Sequence, residues 1–130
     1  MSQTQPVVAI VDDDVSIQRA LARLLYAAGW HAVTFSSAEA FLQTSMQASP
    51  DCVVFDVWLP GMTGVELLEH VVATGSTLPA VIITARDDLQ MRMRAMQARA
   101  VAYLLKPLDG RDLLQALQEA LDRRCLSGSA

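Results

Sequence analysis

The chain has 130 residues, of which 52% are hydrophobic and 18% are charged, and its net charge is −4. This length suits one domain with a substantial core, and the composition excludes a disordered chain. The acidic balance argues against direct binding to nucleic acid, and no apolar stretch reaches the roughly 20 residues that cross a bilayer. Since the N-terminal residues do not follow a signal-peptide pattern, we expect a cytoplasmic protein in which Cys52 and Cys125 are reduced thiols.

The first two strand–helix units are marked by apolar runs and by polar residues that begin helices. Residues 7–11 and 31–35 are predicted strands. Asp14 is assigned as the cap of the first helix, in which apolar residues recur every three or four positions. Ser36 and Glu39 form a capping-box pattern, which predicts that the second helix begins there.

The middle of the chain repeats this alternation. Residues 52–55 and 80–83 are short apolar runs. Near-continuous apolar strands of this kind are typical of a parallel sheet that is covered on both faces. Thr63 and Glu66 form a second capping-box pattern, which predicts the start of the third helix.

The fourth helix is predicted to begin at Asp87 or Asp88, either of which can cap its first turn. Met93 and Met96 are expected to pack into the core, because methionine fills irregular gaps between apolar side chains. Three residues of the same helix are assigned to an exposed partner surface: Met91, Arg92 and Arg94.

The last unit consists of a predicted strand at 101–105 and a helix that begins near Asp109 and Asp112, where carboxylates suit the helix dipole. Five alternating β and α segments predict an α/β, flavodoxin-like, doubly wound (βα)5 fold. We expect five parallel strands in the order 2-1-3-4-5, with helices on both faces of the sheet. In this order the second strand is an edge strand.

The other four strands each end in a polar group that is suited to chemistry. Asp12 and Asp13 follow the first strand, Asp56 the third, Thr84 the fourth and Lys106 the fifth. Open parallel sheets bind ligands at the carboxyl edge, so these side chains are expected to meet there. Each could be an ordinary cap or turn residue taken alone, and the functional interpretation depends on their occurring together.

The expected site carries a formal charge of −2, because three carboxylates face one ammonium group. A divalent cation would neutralise this charge, and oxygen ligands favour a hard ion such as Mg²⁺. A carboxylate placed between a metal ion and an ammonium group can act as a nucleophile toward phosphorus and form an aspartyl phosphate. Lys106 and Thr84 would then contact phosphoryl oxygens, in keeping with the small demands that phosphoryl transfer makes on a protein.

With these residues, the chain resembles a response-regulator receiver domain (CheY-like) of two-component signalling, in the style of the FixJ-like subgroup. The resemblance covers about residues 6–123. It is carried by four segments: AIVDDD at 9–14, VVFDVWLPGMTG at 53–64, VIITA at 81–85 and AYLLKP at 102–107. It implies a receiver domain at 1–125, with 126–130 as a flexible tail or the start of a linker to an output domain.

The resemblance also implies a role for individual residues of the site. Asp56 matches the aspartate that is phosphorylated, Asp13 the direct Mg²⁺ ligand, and Asp12 the ligand that usually acts through water. The backbone carbonyl of Trp58 would complete the protein's share of the metal ligands. Lys106 matches the phosphate-binding lysine, and its bond to the following proline is expected to be cis.

Further positions correspond to residues that transmit or time the signal. Thr84 matches the switch hydroxyl and Tyr103 the aromatic switch residue. Trp58 and Arg86 occupy positions that influence the lifetime of the phosphoryl group, and the bulky Trp58 ring is predicted to shield that group from water. Arg99 stands where the family commonly has glycine.

The function implied is a phosphorylation-activated switch, in which the face formed by helix four, strand five and helix five controls a homodimer or an output domain, in transcription regulation. The partner would be a sensor histidine kinase or a phosphotransfer protein, with no nucleic-acid or membrane contact. Enzymatic activity would be limited to self-phosphotransfer and autodephosphorylation. Two alternatives are a haloacid-dehalogenase-type phosphatase and a pseudo-receiver that binds its partner without phosphorylation.

Overall fold

The computed structural model describes residues 5–48 and 50–128, and the side chains of 5–44 and 50–123. Strands and helices alternate throughout this part of the chain. The elements are β1 (Val7–Val11), α1 (Val15–Ala27), β2 (His31–Phe35), α2 (Ala38–Ala48), β3 (Cys52–Asp56), α3 (Gly64–Ala73), β4 (Ala80–Thr84), α4 (Leu89–Gln97), β5 (Ala102–Leu105) and α5 (Gly110–Gly128).

The five strands form one parallel sheet in the order β2-β1-β3-β4-β5. This confirms the predicted order and fold class. Successive strands are added to one side of β1 and then to the other, so the strand order reverses between β1 and β3. Sheets of this kind bind ligands in the crevice at the carboxyl ends of the two strands where this reversal occurs. Asp12 follows β1 directly and Asp56 is the last residue of β3, so both lie at this crevice.

Alternate residues of the central strands point into two separate cores. Ala9, Val53 and Phe55 face a core that is closed by α2, α3 and α4. Val8 and Val54 face a second core, closed by α1 and α5. Because strand side chains alternate between faces, the near-continuous apolar runs in the sequence are explained by burial on both sides.

Helix starts agree with the predictions at four positions and disagree at one. Helix α5 begins at Gly110, directly after Asp109, whose carboxylate accepts the backbone N–H of Arg111. Asp14 caps α1, Asp88 caps α4, and Thr63 forms a reciprocal capping box at α3. The prediction that Ser36 caps α2 is wrong: the Ser37 hydroxyl accepts the hydrogen bond from the backbone of Ala40. Ser36 lies one residue too early because β2 extends to the residue before it, and its hydroxyl accepts a hydrogen bond from another helix instead.

The prediction that Met93 and Met96 pack into the core is also wrong. Their residues are 54% and 50% exposed, whereas Ala95 is buried and Met91 packs against the core from a half-buried position. Helical spacing allowed more than one apolar stripe on α4, and the side that faces the sheet carries the small alanine. Met91 therefore belongs to the core-facing side rather than to an exposed partner surface.

Helix α5 continues to Gly128, past the boundary that was predicted at residue 125. The sequence offers no proline or glycine after Gly110 that would end the helix earlier. Residues 129–130 lie outside the described part, and the division into a domain and a tail stays a prediction. Within the described residues, no helix has the length and apolar character needed to cross a bilayer.

Candidate functional site

Asp56 ends β3 in a buried position at the carboxyl edge of the sheet, with only 5% of the residue exposed. Burial, reinforced by the charge of Asp12, raises the pKa of the Asp56 carboxyl from 3.8 to about 6, although Lys106 opposes the shift. Loss of hydration disfavours the ionised form of a buried acid. The positive charge of Lys106 therefore compensates only in part for the burial of the ionised Asp56 carboxylate and for the charge of Asp12.

Asp12, Asp13 and Asp56 each place one carboxylate oxygen within 4.8 Å of the others. Asp12 is fully buried and held on both oxygens: Oδ1 accepts the backbone N–H of Asp14 at 2.9 Å, and Oδ2 lies 2.8 Å from the Lys106 ammonium. Asp13 is exposed, and no described residue donates a hydrogen bond to its carboxylate. Asp13 is thus the acid of the three that is open to a ligand from solvent.

Lys106 reaches the cluster from the end of β5. Its Nζ lies 2.8 Å from Asp12 and 3.5 Å from Asp56, so one ammonium group is shared by two carboxylates. Burial lowers the pKa of Lys106, but its hydrogen bond to Asp12 and the charge of Asp56 outweigh this effect and raise the pKa overall. The peptide bond to Pro107 is cis, as predicted, and the Lys106 backbone N–H donates to the Thr84 carbonyl at 2.7 Å.

Gln18, on α1, holds the backbone of Asp12 by a hydrogen bond and was not predicted from the sequence. Its Nε2 donates to the Asp12 carbonyl at 2.6 Å and to the Ser36 hydroxyl at 3.0 Å, and the residue is 8% exposed. A buried amide that bridges two strand ends fixes the turn on which the acidic pair lies. The signal was present in the spacing, because Gln18 lies on the helical stripe of Leu21 and Leu25, which both face the core.

Gly64 supports Asp56 from the other side and was also missed. A Cβ placed on Gly64 would lie 2.1 Å from the Asp56 carbonyl oxygen and 3.2 Å from the Phe55 side chain. Its N–H donates to the Val57 carbonyl at 2.9 Å. Only a residue without a side chain allows the start of α3 to approach β3 so closely. Glycine is a poor helix former, so its place directly after the Thr63 cap was the available signal.

The Thr84 hydroxyl is turned toward its own loop. Its Oγ1 donates to the Arg86 carbonyl at 2.8 Å and accepts the Arg86 N–H at 3.2 Å. Thr84 is fully buried at the end of β4, next to the strand that carries Asp56. The fold therefore brings Thr84 to the carboxyl edge of the sheet, as predicted. Its hydroxyl proton is donated to the backbone carbonyl of Arg86.

Trp58 and Arg86 contact each other through both backbone and side chain. The Trp58 Nε1 donates to the Arg86 carbonyl at 3.1 Å, and the Arg86 guanidinium lies 4.3 Å from the centre of the indole ring. The first contact is a hydrogen bond, and the second has the geometry of a cation–π interaction. Together they join the loop after β3 to the loop after β4.

Tyr103 lies on β5 in a half-buried position, packed against the core under α4. Its ring lies under the Arg92 guanidinium at 4.9 Å. The hydroxyl oxygen is buried without a well-aligned hydrogen bond among the described residues. Burial accordingly raises the pKa of the phenol, although the nearby Asp88 backbone opposes the shift.

The arrangement is thus a cluster of three carboxylates and one ammonium group, with a hydroxyl and an aromatic ring on the two adjacent strands. This is the convergence that the sequence predicted. Residues 8–118 match the sequence model of the response regulator receiver domain. The chain therefore belongs to the receiver family and is a switch of two-component signalling, rather than a conventional enzyme. The haloacid-dehalogenase alternative is accordingly not the family of this chain.

Relatives of known sequence place the chain near a particular group of receivers. It is 35% identical over 122 residues to nodulation protein W of Bradyrhizobium diazoefficiens, covering 94% of this chain and 54% of that protein. It is 32% identical over 128 residues to the transcriptional regulatory protein FixJ of Azorhizobium caulinodans, covering 98% and 60%. The chain spans a little over half the length of these curated relatives.

A solved structure supports the same grouping. The crystal structure of FixJ-N superimposes with a TM-score of 0.84 at 32% sequence identity, covering 92% of this chain and 96% of that one. The resemblance to FixJ-like receivers that the sequence motifs indicated is therefore confirmed by sequence and by structure.

Proposed function

We propose that Asp56 is the phosphoacceptor of this receiver domain. The observation that carries the proposal is the environment of its carboxylate: buried, with a pKa of about 6, between the Asp12–Asp13 pair and the Lys106 ammonium. A pKa near 6 leaves the carboxylate ionised, and so nucleophilic, at neutral pH.

The transfer itself exchanges one bond for another. A carboxylate oxygen of Asp56 attacks phosphorus, and the bond between phosphorus and the donor breaks. The donor leaves with the electron pair of that bond, as acetate does when acetyl phosphate is the donor. The Lys106 ammonium group, which is a compact positive charge, neutralises negative charge on a phosphoryl oxygen. In autodephosphorylation, water attacks the same phosphorus and Asp56 is the leaving group.

We propose Mg²⁺ as the cofactor, held by Asp12, Asp13, Asp56 and the backbone carbonyl of Trp58. The donor set fits such an ion, because three carboxylate oxygens lie within 4.8 Å of one another and the Lys106 ammonium group contacts only two of these carboxylates, Asp12 and Asp56. Hard divalent cations prefer these oxygen ligands. When bound, the ion supplies positive charge for the resting carboxylates and for the incoming phosphoryl group.

Thr84 and Tyr103 are proposed to convert phosphorylation into a change of shape. A phosphoryl group adds negative charge and acceptor oxygens at Asp56. The Thr84 hydroxyl would leave the Arg86 carbonyl for one of these oxygens, and the space it vacates would favour an inward position of the Tyr103 ring. The poorly satisfied Tyr103 hydroxyl supports two alternative positions for this ring.

The exposed side of α4 is the proposed output surface. Leu89, Met93 and Met96 are each at least half exposed there, and Leu105 at the end of β5 is 46% exposed. We propose that this face forms a phosphorylation-dependent homodimer or contacts an output domain that regulates transcription. The phosphoryl donor would be a sensor histidine kinase or a phosphotransfer protein in the cytoplasm. Trp58 and Arg86 are proposed to set the lifetime of the phosphoryl group.

The experiment that tests the proposal is incubation with acetyl phosphate and Mg²⁺, followed by intact mass measurement. The wild-type chain should gain the mass of one PO₃ unit, and so should Asp122→Asn, an exposed aspartate substitution on α5. Asp56→Asn should gain nothing. If wild type also gains nothing, even with a competent histidine donor, the pseudo-receiver alternative would replace this proposal.

A further inference from the structure

The carbonyl oxygen of Arg86 accepts two hydrogen bonds at once. One comes from the Thr84 hydroxyl at 2.8 Å and the other from the Trp58 indole N–H at 3.1 Å. A carbonyl oxygen has two lone pairs, so both are used. The residue proposed as the switch and the large aromatic residue beyond Asp56 therefore share one acceptor.

We infer that Trp58 is a positioning residue that makes the Thr84 hydroxyl easier to release. This rests on the proposed function of Asp56 and Thr84, and it is separate from shielding of the phosphoryl group by the indole ring. When the Thr84 hydroxyl turns away, the Arg86 carbonyl keeps the hydrogen bond from Trp58. Release of the Thr84 hydroxyl then costs less than release from a carbonyl that has no second protein donor, because the indole N–H continues to satisfy the Arg86 oxygen.

The cation–π contact keeps this second donor in place. The Arg86 guanidinium lies 4.3 Å from the ring centre, so the ring and the loop are joined at a point other than the hydrogen bond. The indole N–H stays aimed at the carbonyl while the hydroxyl of Thr84 changes partner. Trp58 thus acts on the switch equilibrium through Arg86 without touching the reacting carboxylate.

The test compares Trp58→Phe with Trp30→Phe. Phenylalanine keeps an aromatic ring under Arg86 but removes the N–H, so the Arg86 carbonyl would depend on Thr84 alone. Trp30 lies directly before β2, half-buried against the core that α1 and α5 close, and the same substitution there serves as the matched control. Titration with beryllofluoride and Mg²⁺, followed by NMR, measures how readily each variant reaches the activated state.

Loss of one hydrogen-bond donor predicts that Trp58→Phe binds the phosphoryl analogue roughly 2- to 10-fold more weakly than wild type. Trp30→Phe should match wild type. The carbon-13 shift of the Thr84 methyl group gives a second readout without any ligand. In Trp58→Phe this chemical shift should move toward the value of the rotamer in which the Thr84 hydroxyl donates to the Arg86 carbonyl.

Two results would overturn the inference, and they differ from failure of the proposed function. If wild type binds the analogue and Trp58→Phe binds it equally well or better, Trp58 does not ease the release of Thr84. An unchanged Thr84 methyl shift in the unliganded variant would lead to the same conclusion. If wild type itself does not bind the analogue at Asp56, the proposed function fails first, and this inference falls with it.

Discussion

Helices α3 and α4 cover the same face of the sheet and follow neighbouring strands, but they are attached to it very differently. Helix α3 buries Gly64, Val65, Leu67, Leu68 and Val71 and begins with a reciprocal capping box. In α4, which the structure describes in full, Ala95 is the buried residue, and several of its large apolar side chains point outward. The helix that follows Asp56 is fixed, and the helix that follows Thr84 is weakly held.

This difference matches what a switch requires. The start of α3 touches the backbone of Asp56, so movement there would displace the acceptor. Movement of α4 would expose little buried apolar surface. Elements that move during signalling are generally those with few buried apolar contacts. Four predictions test this contrast, in order of decreasing effect.

The largest effect is expected from truncating a buried side chain of α3. Leu67→Ala should lower the free energy of unfolding by about 2–5 kcal/mol, because Leu67 is fully buried. Met93→Ala on α4 should change it by no more than about 0.5 kcal/mol, because Met93 is 54% exposed. Urea unfolding of both variants measures the contrast. Equal losses would show that α4 is attached as firmly as α3.

The next effect concerns the charge of Asp56. The pKa of Asp56 is raised from 3.8 to about 6 in the folded chain, so protonation of this carboxyl stabilises the folded state. The stabilisation is fully present below pH 3.8 and is lost as the pH rises through about 6. A tenfold change in proton affinity corresponds to about 1.4 kcal/mol. The ionised carboxylate of Asp56 therefore lowers the free energy of unfolding by up to about 3 kcal/mol at neutral pH.

Asp56→Asn should therefore stabilise the metal-free chain at pH 7 by up to about 3 kcal/mol, and by almost nothing below pH 3.8. Urea unfolding with EDTA across this pH range measures the difference. Mg²⁺ should stabilise wild type more than the variant. Glu119→Gln, an exposed substitution on α5, serves as the control and should show neither trend. A pH-independent gain for Asp56→Asn would contradict the proposed charge imbalance.

A smaller effect is expected at the ends of the two helices. Helix α3 ends before Gly75, which has φ +88°, and α4 ends before Arg99, which has φ +69°. Glycine adopts this left-handed conformation at little cost, whereas other residues pay about 1 kcal/mol or more. Arg99→Gly should thus stabilise the chain by about 1 kcal/mol, and Gly75→Ala should destabilise it similarly. Thermal unfolding decides the signs, and destabilisation by Arg99→Gly would refute the strain argument.

The smallest effect belongs to the ion pair that joins the two helices. Arg94 contacts Glu69 through two hydrogen bonds, at 3.1 and 2.5 Å, and both side chains are about 40% exposed. Exposed pairs contribute about 0.2–1 kcal/mol. A double-mutant cycle on Arg94 and Glu69 should give a coupling in this range. The pair Arg92–Asp87, whose atoms lie 3.3 Å apart, should have a smaller coupling energy. A larger coupling energy for Arg92–Asp87 than for Arg94–Glu69 would contradict the expectation that the shorter ion pair is the stronger one.

Sequence patterns predicted the site better than they predicted the helix faces. Asp12, Asp13, Asp56 and Lys106 were found because a parallel sheet brings all strand ends to one edge, whatever the details of packing. The burial of Met93 and Met96 was predicted wrongly, because α4 carries apolar residues on more than one side and only contact with the sheet decides between them. Gln18 was overlooked because an amide on an apolar stripe gains its meaning from a carbonyl that is distant in sequence.

By itself, then, the sequence determined the element order, the strand order and the set of charged residues at the carboxyl edge, since these depend on local periodicity and on the geometry of parallel sheets. The tertiary structure alone decided that Thr84 and Trp58 share the Arg86 carbonyl, that Gly64 presses on the backbone of Asp56, and that α4 is weakly held. These features are contacts between loops and helices whose distances depend on how all the elements pack together, and such packing has no periodic signal in the chain.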